Sequence, residues 1–400
     1  MTNNKICISL TLASLALLAA SPAQADNTAV TTAPAAAAAP AAPTLMPAMA
    51  GPLGMDTTPY SFNAGPLNKI YVSGVASVTG MAQSHHVSGD KTFRGNLSNG
   101  QIFIQNTDGP AQFFIQAGAY SLPALGTSYL RANKTTGDTY GYLPQGYLKW
   151  APNSNLSVMA GKLPTLIGDE YTFTFENMNI ERGLLWNQEN AVNRGIQGNY
   201  TMGPLALSLS WNDGFYSGHY SWLTGLATYT LGSNDSVAVD AGGNLRHTAR
   251  NTYATPKAQD NGSIYNIMYT HTDGAWTFNP YLQYTYIPQS TDAGSTKTAN
   301  TYGAAFLTKY SFDQNFSLAG RLEYIKSSGT TTDGAPNLLY GQGSRAWSMT
   351  LTPTYQMNMF FGRAEASYTR AMRAAAGDAF GVSGNEKAQA RLMLETGITF

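Results

Sequence analysis

Cys7 is the single cysteine in 400 residues, so no disulfide framework can hold this fold. The five histidines, at 85, 86, 219, 247 and 271, lack the spaced partners of a metal site. His85-His86 and Asp90 share a loop, but no ligand pattern surrounds them. No Gly-x-Ser-x-Gly elbow, glycine-rich phosphate loop or cysteine cluster occurs, so no cofactor and no enzymatic reaction is expected. Charged residues are only 12% of the chain, against roughly 25% in an average soluble protein. Lys+Arg and Asp+Glu both number 23, a balance that argues against a nucleic-acid partner. No apolar run approaches the roughly 20 residues of a membrane helix. If this chain spans a membrane, it does so with strands.

What is present begins at the N-terminus. Lys5, the apolar run Ile6 to Ala20 and the small-x-small site Ala23-Gln24-Ala25 form the pattern of a secretory signal peptide, residues 1–25. Residues 26–66 are rich in Ala and Pro, almost purely so from Ala33 to Pro43. Such a tract packs poorly and reads as a disordered periplasmic tether; the alternative is a plug inserted into a barrel. From residue 67 to 400 the chain alternates apolar and polar residues with period two, in blocks of about ten.

The clearest block puts Trp276, Phe278, Pro280, Leu282, Tyr284 and Tyr286 on one face and Thr277, Asn279, Tyr281, Gln283 and Thr285 on the other. Sixteen candidate strands start near residues 69, 99, 111, 145, 155, 191, 204, 220, 236, 262, 275, 299, 315, 344, 359 and 387. Short turns such as Asp108-Gly109-Pro110 alternate with longer loops such as 122–144, 163–190 and 371–386. Aromatic residues crowd the strand ends, among them Trp150, Trp211, Trp222, Trp276, Tyr286, Trp347 and Tyr368. These features predict an all-β fold: a transmembrane antiparallel β-barrel of about 16 strands, with short periplasmic turns and long outer loops. Lipid offers the backbone no hydrogen bonds, so such a sheet must close. At this strand number the lumen is too wide for side chains to fill and holds water. The polar face then lines a channel. Localisation in the outer membrane follows, with outer-membrane lipid around the barrel and small hydrophilic solutes inside it.

The segment 161–190 is the most informative loop. It opens Gly161-Lys162-Leu163-Pro164, continues through Gly168-Asp169-Glu170-Tyr171 and Asn179 to Arg182, and ends in Leu184-Leu185-Trp186 before a strand that contains Gly195-Ile196. These residues, over about 158 to 200, resemble the β-barrel porin type 2 family of outer-membrane porins. Leu163 stands where the family has an aromatic, and Glu189 to Val192 lacks its Pro-aromatic pair. The resemblance implies passive diffusion of small hydrophilic solutes and ions. A barrel that only displays loops, as an adhesin, or an outer-membrane hydrolase would be the alternatives.

Read from its residues, the loop carries opposed charges and an apolar centre, Phe173, Phe175, Met178, Ile180, Leu184, Leu185 and Trp186, unsuited to free solvent. Folded inward it would narrow the lumen. Lys162, Asp169, Glu170, Glu176, Glu181, Arg182 and Arg194 are the expected constriction residues, and their field would tune ion preference. On the wall, Lys149, Arg321, Glu323, Arg363, Glu365, Arg391 and Glu395 fall on the inward phase; facing lipid, each would cost roughly 2–4 kcal/mol. Phe400 closes an amphipathic strand, Leu392, Leu394, Thr396 and Ile398 on one side. That ending resembles the signal read by periplasmic chaperones and the barrel-assembly machinery. Porins often form homo-oligomers, but no residue pattern marks an interface.

Overall fold

A computed structural model describes residues 45–330, 332–336 and 339–400. The expected signal peptide and most of the Ala/Pro tract lie outside the described residues. A four-residue strand, β1 (Tyr60–Asn63), precedes the barrel strands β2 (Lys69–Gln83), β3 (Phe93–Asn106), β4 (Ala111–Tyr120), β5 (Gln145–Trp150), β6 (Leu156–Pro164), β7 (Val192–Met202), β8 (Leu205–Asn212) and β9 (Trp222–Thr230). They continue as β10 (Asp235–Asn244), β11 (Ser263–Asp273), β12 (Trp276–Ile287), β13 (Ala299–Ser311), β14 (Phe316–Ser327), β15 (Arg345–Met357), β16 (Phe360–Met372) and β17 (Ala388–Thr399). Each pairs antiparallel with its neighbours in sequence, and β17 returns to β2, so the sixteen strands β2–β17 close into a barrel. The predicted starts agree to within two residues except at β3, expected at 99 and found at 93. There Gly95, Asn96 and Ser98 carry no strand signature, and the register with β2 shifts at Ser77/Val78, which breaks the alternation.

The alternation falls as lipid outside and lumen inside require. On β8, Leu207, Leu209 and Trp211 are exposed while Ser210 and Asn212 are buried. On β17, Leu392 and Leu394 face out and Arg391, Met393 and Glu395 face in. Trp150, Trp211, Trp276, Tyr286 and Tyr302 are exposed at strand ends, as a girdle requires. Trp222 is a correction. It lies on the inward phase, almost fully buried, with its ring 5.6 Å from Phe215 and its indole N–H on the Asp260 carbonyl at 2.9 Å.

The tether is a second correction. Residues 45–66 are packed against the barrel. β1 pairs with β2, and Leu53 is buried among residues of the lumen, including Phe103, Phe114 and Phe175. Inward-facing glutamines hold this segment by its backbone. Gln105 accepts from Met46 N–H at 2.9 Å and donates to the Met46 carbonyl at 2.6 Å; Gln356 does the same with Gly54 at 2.8 and 2.9 Å. Each amide mimics a strand partner for an otherwise unpaired peptide. These short polar side chains gave no sequence signal of a docking role.

Candidate functional site

The loop after β6, residues 165–191, folds into the lumen. It contains two short 3-10 turns, Thr174–Glu176 and Trp186–Gln188, and otherwise irregular backbone. Its apolar centre is buried: Phe173, Phe175, Ile180, Leu184 and Leu185 are each 0% exposed. Phe173 and Phe175 stack on each other at 6.1 Å; Phe175 meets Phe103 of β3 at a tilt and Phe173 meets Tyr120 of β4 edge-on at 5.1 Å, while Leu184 and Leu185 pack among residues of the opposite wall, Tyr281, Leu307 and Ile325.

Irregular backbone buried in a barrel needs hydrogen-bond partners from elsewhere. The wall supplies them as charges. Arg363 donates to the carbonyls of Thr174, Asn177 and Met178, each at 2.9 Å. Glu365 accepts from the amides of Ile180 at 2.5 Å and Glu181 at 3.0 Å. Glu323 accepts from Leu185 N–H at 3.2 Å. Arg321 bridges Glu170 at 2.5 Å, the Glu181 carbonyl at 2.7 Å and Glu323 at 3.3 Å. Arg391 pairs with Glu181 at 2.7 Å and donates to the carbonyls of Ala124 and Thr127 in the preceding outer loop. Glu395 accepts from Ser77, Asn99 and Thr174. Charged groups in such contacts make the stronger hydrogen bonds, about 1.5–3 kcal/mol each. The wall charges read from the strand phase therefore act as clamps on the loop. Lys149 differs from them: it makes no hydrogen bond or ion pair among the described residues. It lines a cavity of about 580 Å³ with Met46, Gln105, Gln112, Gln197 and Asn199.

The expected constriction residues divide into two groups. Asp169, Glu170, Glu176, Glu181 and Arg182 belong to the inward loop, but they are turned into contacts. Asp169 takes both bonds of the Asn279 amide at 2.9 and 2.8 Å. Glu176 accepts from Phe173 N–H at 2.9 Å, closing its own turn. Arg182 is 0% exposed and donates to the carbonyls of Pro123, Thr172 and Ile180, so it ties the two loops together. Lys162 and Arg194 are corrections. They pair across β6 and β7 on the outward phase at the loop-bearing rim, not in the lumen. Lys162 donates to the carbonyls of Tyr140 and Leu143; Arg194 pairs with Asp213 at 2.7 Å and lies 4.0 Å from the Tyr216 ring centroid. One residue of phase separates these two readings, since a strand turns each successive side chain to the other face.

Three docking groups went unnoticed in the sequence. Asp240 of β10 accepts from Gly168 N–H at 2.9 Å. Tyr281 and Gln283 of β12 both donate to Glu189, at 2.7 and 2.8 Å. All lie on the polar phase of their strands, the only available signal. The N-terminal segment seals the loop from the short-turn side: the amides of Ala50 and Gly51 both donate to the Glu176 carbonyl, at 2.8 and 3.0 Å. A Cβ on Gly51 would stand 2.3 Å from the Asn177 carbonyl oxygen, so only glycine permits the approach. Under this cover, burial pushes the Glu176 carboxyl up to about 8, although the Phe173 N–H and Arg182 favour its charged form.

A closed sixteen-stranded antiparallel barrel with a lipid-facing apolar surface, a polar interior and one loop folded into its lumen defines the class of outer-membrane porins. The family profile described as "Putative beta-barrel porin-2, OmpL-like" matches residues 69–400, and the chain belongs to that family. It is an outer-membrane porin, located in the outer membrane. No curated protein sequence matches it. Among solved structures, it resembles the outer membrane channel DcaP of Acinetobacter baumannii at 10% identity, with 83% of this chain and 97% of that chain covered and a TM-score of 0.56. OmpF of Salmonella typhi, solved in complex with daunomycin, matches at 13% identity over 85% of this chain and 100% of that chain, with a TM-score of 0.56. OmpT of Vibrio cholerae, an outer membrane protein, matches at 10% identity over 83% of this chain and 97% of that chain, with a TM-score of 0.54. At such identities the likeness is one of fold.

Proposed function

We propose that the barrel is a passive, non-catalytic channel for small hydrophilic solutes and ions. Loop 165–191 limits its cross-section, and Lys149 and Lys309 set its ion preference. One observation carries this reading. The inward carboxylates Glu323, Glu365 and Glu395, with Glu170 and Glu181 of the loop, are all buried and bonded. Lys149 of β5 and Lys309 of β13 face inward, half-buried, with no hydrogen bond or ion pair among the described residues. An uncompensated cation beside a narrow aqueous passage raises the local concentration of anions. Delivery by periplasmic chaperones and the barrel-assembly machinery, with β17 as the recognised strand, belongs to the same proposal.

The test is single-channel recording in planar bilayers with a salt gradient. The native channel is expected to show a reversal potential of anion-preferring sign, and K149E/K309E to reverse that sign. Deletion of residues 172–186 is expected to raise conductance. A folded barrel without conductance, or one whose conductance ignores the deletion, would overturn the proposal.

A further inference from the structure

We infer that the outer wall carries a binding site for the phosphate-bearing headgroup of an outer-leaflet lipid, formed by Lys326, Arg345 and Arg370 on β14, β15 and β16. The proposal concerns the lipid-facing surface and is independent of conduction.

Strand phase and register bring the three cations together. Lys326 lies directly opposite Arg345 across β14 and β15. Arg345 pairs with Met372 of β16, and Arg370 stands two residues from Met372, on the same outward phase. Directly opposed residues have Cβ atoms about 4.5–5.5 Å apart and diagonal ones about 7–8 Å, so one phosphate can reach all three. Outward positions of β13 to β16 hold Tyr302, Tyr324, Trp347, Met349 and Tyr368, and no carboxylate. Like charges placed directly opposite are destabilising, and no acidic side chain relieves them here. Lys326 and Arg370 are exposed. Arg345 is half-buried, with its Nε atom buried and without a hydrogen-bond partner.

Height along the barrel fixes the chemistry of the occupant. β14 begins at Phe316, beside the short turn where Phe312 stacks on it at 5.1 Å. Lys326 is ten residues further on. At about 3.3 Å per residue and a tilt near 40°, that is a rise of about 25 Å, the height of the apolar band itself. The cations therefore stand at the headgroup level of the outer leaflet, above a ring of aromatics that includes Trp347 and Tyr368, 5.4 Å apart. Acyl chains would lie on the apolar wall below while the headgroup meets the cations. A phosphate monoester carries more than one negative charge and accepts several hydrogen bonds; guanidinium matches it with paired donors. The site thus selects an anionic, phosphate-bearing lipid over a zwitterionic one.

The experiment uses the full barrel in nanodiscs of phosphatidylcholine with and without diphosphoryl lipid A, read by native mass spectrometry after detergent release. The native protein is expected to retain lipid A at least tenfold over phosphatidylcholine, and K326Q/R345Q/R370Q to lose that preference. Both proteins should give the same heat-modifiable barrel and the same single-channel conductance. The charge-conserving K326R/R345K/R370K should keep the preference, which separates charge from packing. Inorganic phosphate at millimolar concentration should not displace the lipid. Equal retention of lipid A by the glutamine variant, no preference by the native barrel, or displacement by inorganic phosphate alone would each overturn the site.

Discussion

Replacing Arg321 by Met tests whether wall charges hold the inward loop. The guanidinium is fully buried and contacts Glu170 at 2.5 Å, Glu323 at 3.3 Å and the Glu181 carbonyl at 2.7 Å. Methionine fills similar space but leaves two carboxylates in the interior without their cation. Removing one partner of a buried ion pair costs about 3–5 kcal/mol, because the remaining charge has lost its solvation and its counterion together. Sheet pairing on β14 does not involve the side chain, so the loss falls on loop docking. At about 1.4 kcal/mol per factor of ten, the ratio of docked to open loop should drop by two to three and a half powers of ten. Hydrogen–deuterium exchange of residues 172–186 reads that ratio. Protection there should fall in R321M while β12 to β16 keep theirs, and single-channel records should show larger, flickering conductance. E170Q/R321M should recover part of the protection, since one stranded carboxylate is then neutral. Unchanged exchange in R321M would refute the clamp, and equal losses in loop and strands would show a general folding defect instead.

Three further outcomes follow from named contacts. Glu176 has its carboxyl raised to about 8 by burial, so the docked loop favours its protonated form; docking is strongest below about pH 4.3, the ordinary value, and weakens as pH rises through about 8. Exchange of residues 172–186 should accelerate from pH 6 to 9 beyond its intrinsic trend, and E176Q should flatten that profile. Cysteines at Leu207, Leu209 and Trp211 should react only with lipid-soluble reagents, and cysteines at Ser208 and Ser210 only with water-soluble ones; the opposite pattern would reject the register of β8. Phe400 exchanges both backbone hydrogen bonds with Gly74, at 2.8 and 3.0 Å, and F400D should lower the yield of heat-modifiable barrel in the outer membrane without blocking export.

The barrel was legible because lipid imposes a binary choice at every strand position. Leu207, Leu209 and Trp211 can face only outward, and Arg321, Glu323, Arg363 and Glu365 only inward, so period two alone places them. The inward fold of the loop was legible for a related reason: Phe173, Phe175 and Ile180 need a dry surface. What the loop charges do was not. Glu170 and Arg182 would look the same whether they lined water or bonded the backbone, Glu170 an amide and Arg182 carbonyls, because that depends on which backbone groups an irregular loop leaves unpaired. Lys162 and Arg194 sit at strand ends, where a single residue decides between rim and lumen. Residues 45–66 were hidden by composition, since the glutamines that bind them belong to strands far away in sequence.

The pairing of β2 has a consequence for the order of folding. Along one side it is covered first by β17, down to Thr399 opposite Val75, and then by β1, from Tyr60 opposite Val72. Contacts across that seam join residues far apart in sequence: 308 positions separate Arg391 from Gln83, which share a hydrogen bond. Loop-closure entropy makes such contacts the slowest to form. Until the last strand arrives, β2 presents a long unsatisfied edge, a template for pairing with the wrong chain. β1 lies only a few residues from β2 and can form at once, shielding one end of that edge from the start. The remaining stretch, Val75 to Gln83, is the part of this protein most in need of protection between synthesis and closure.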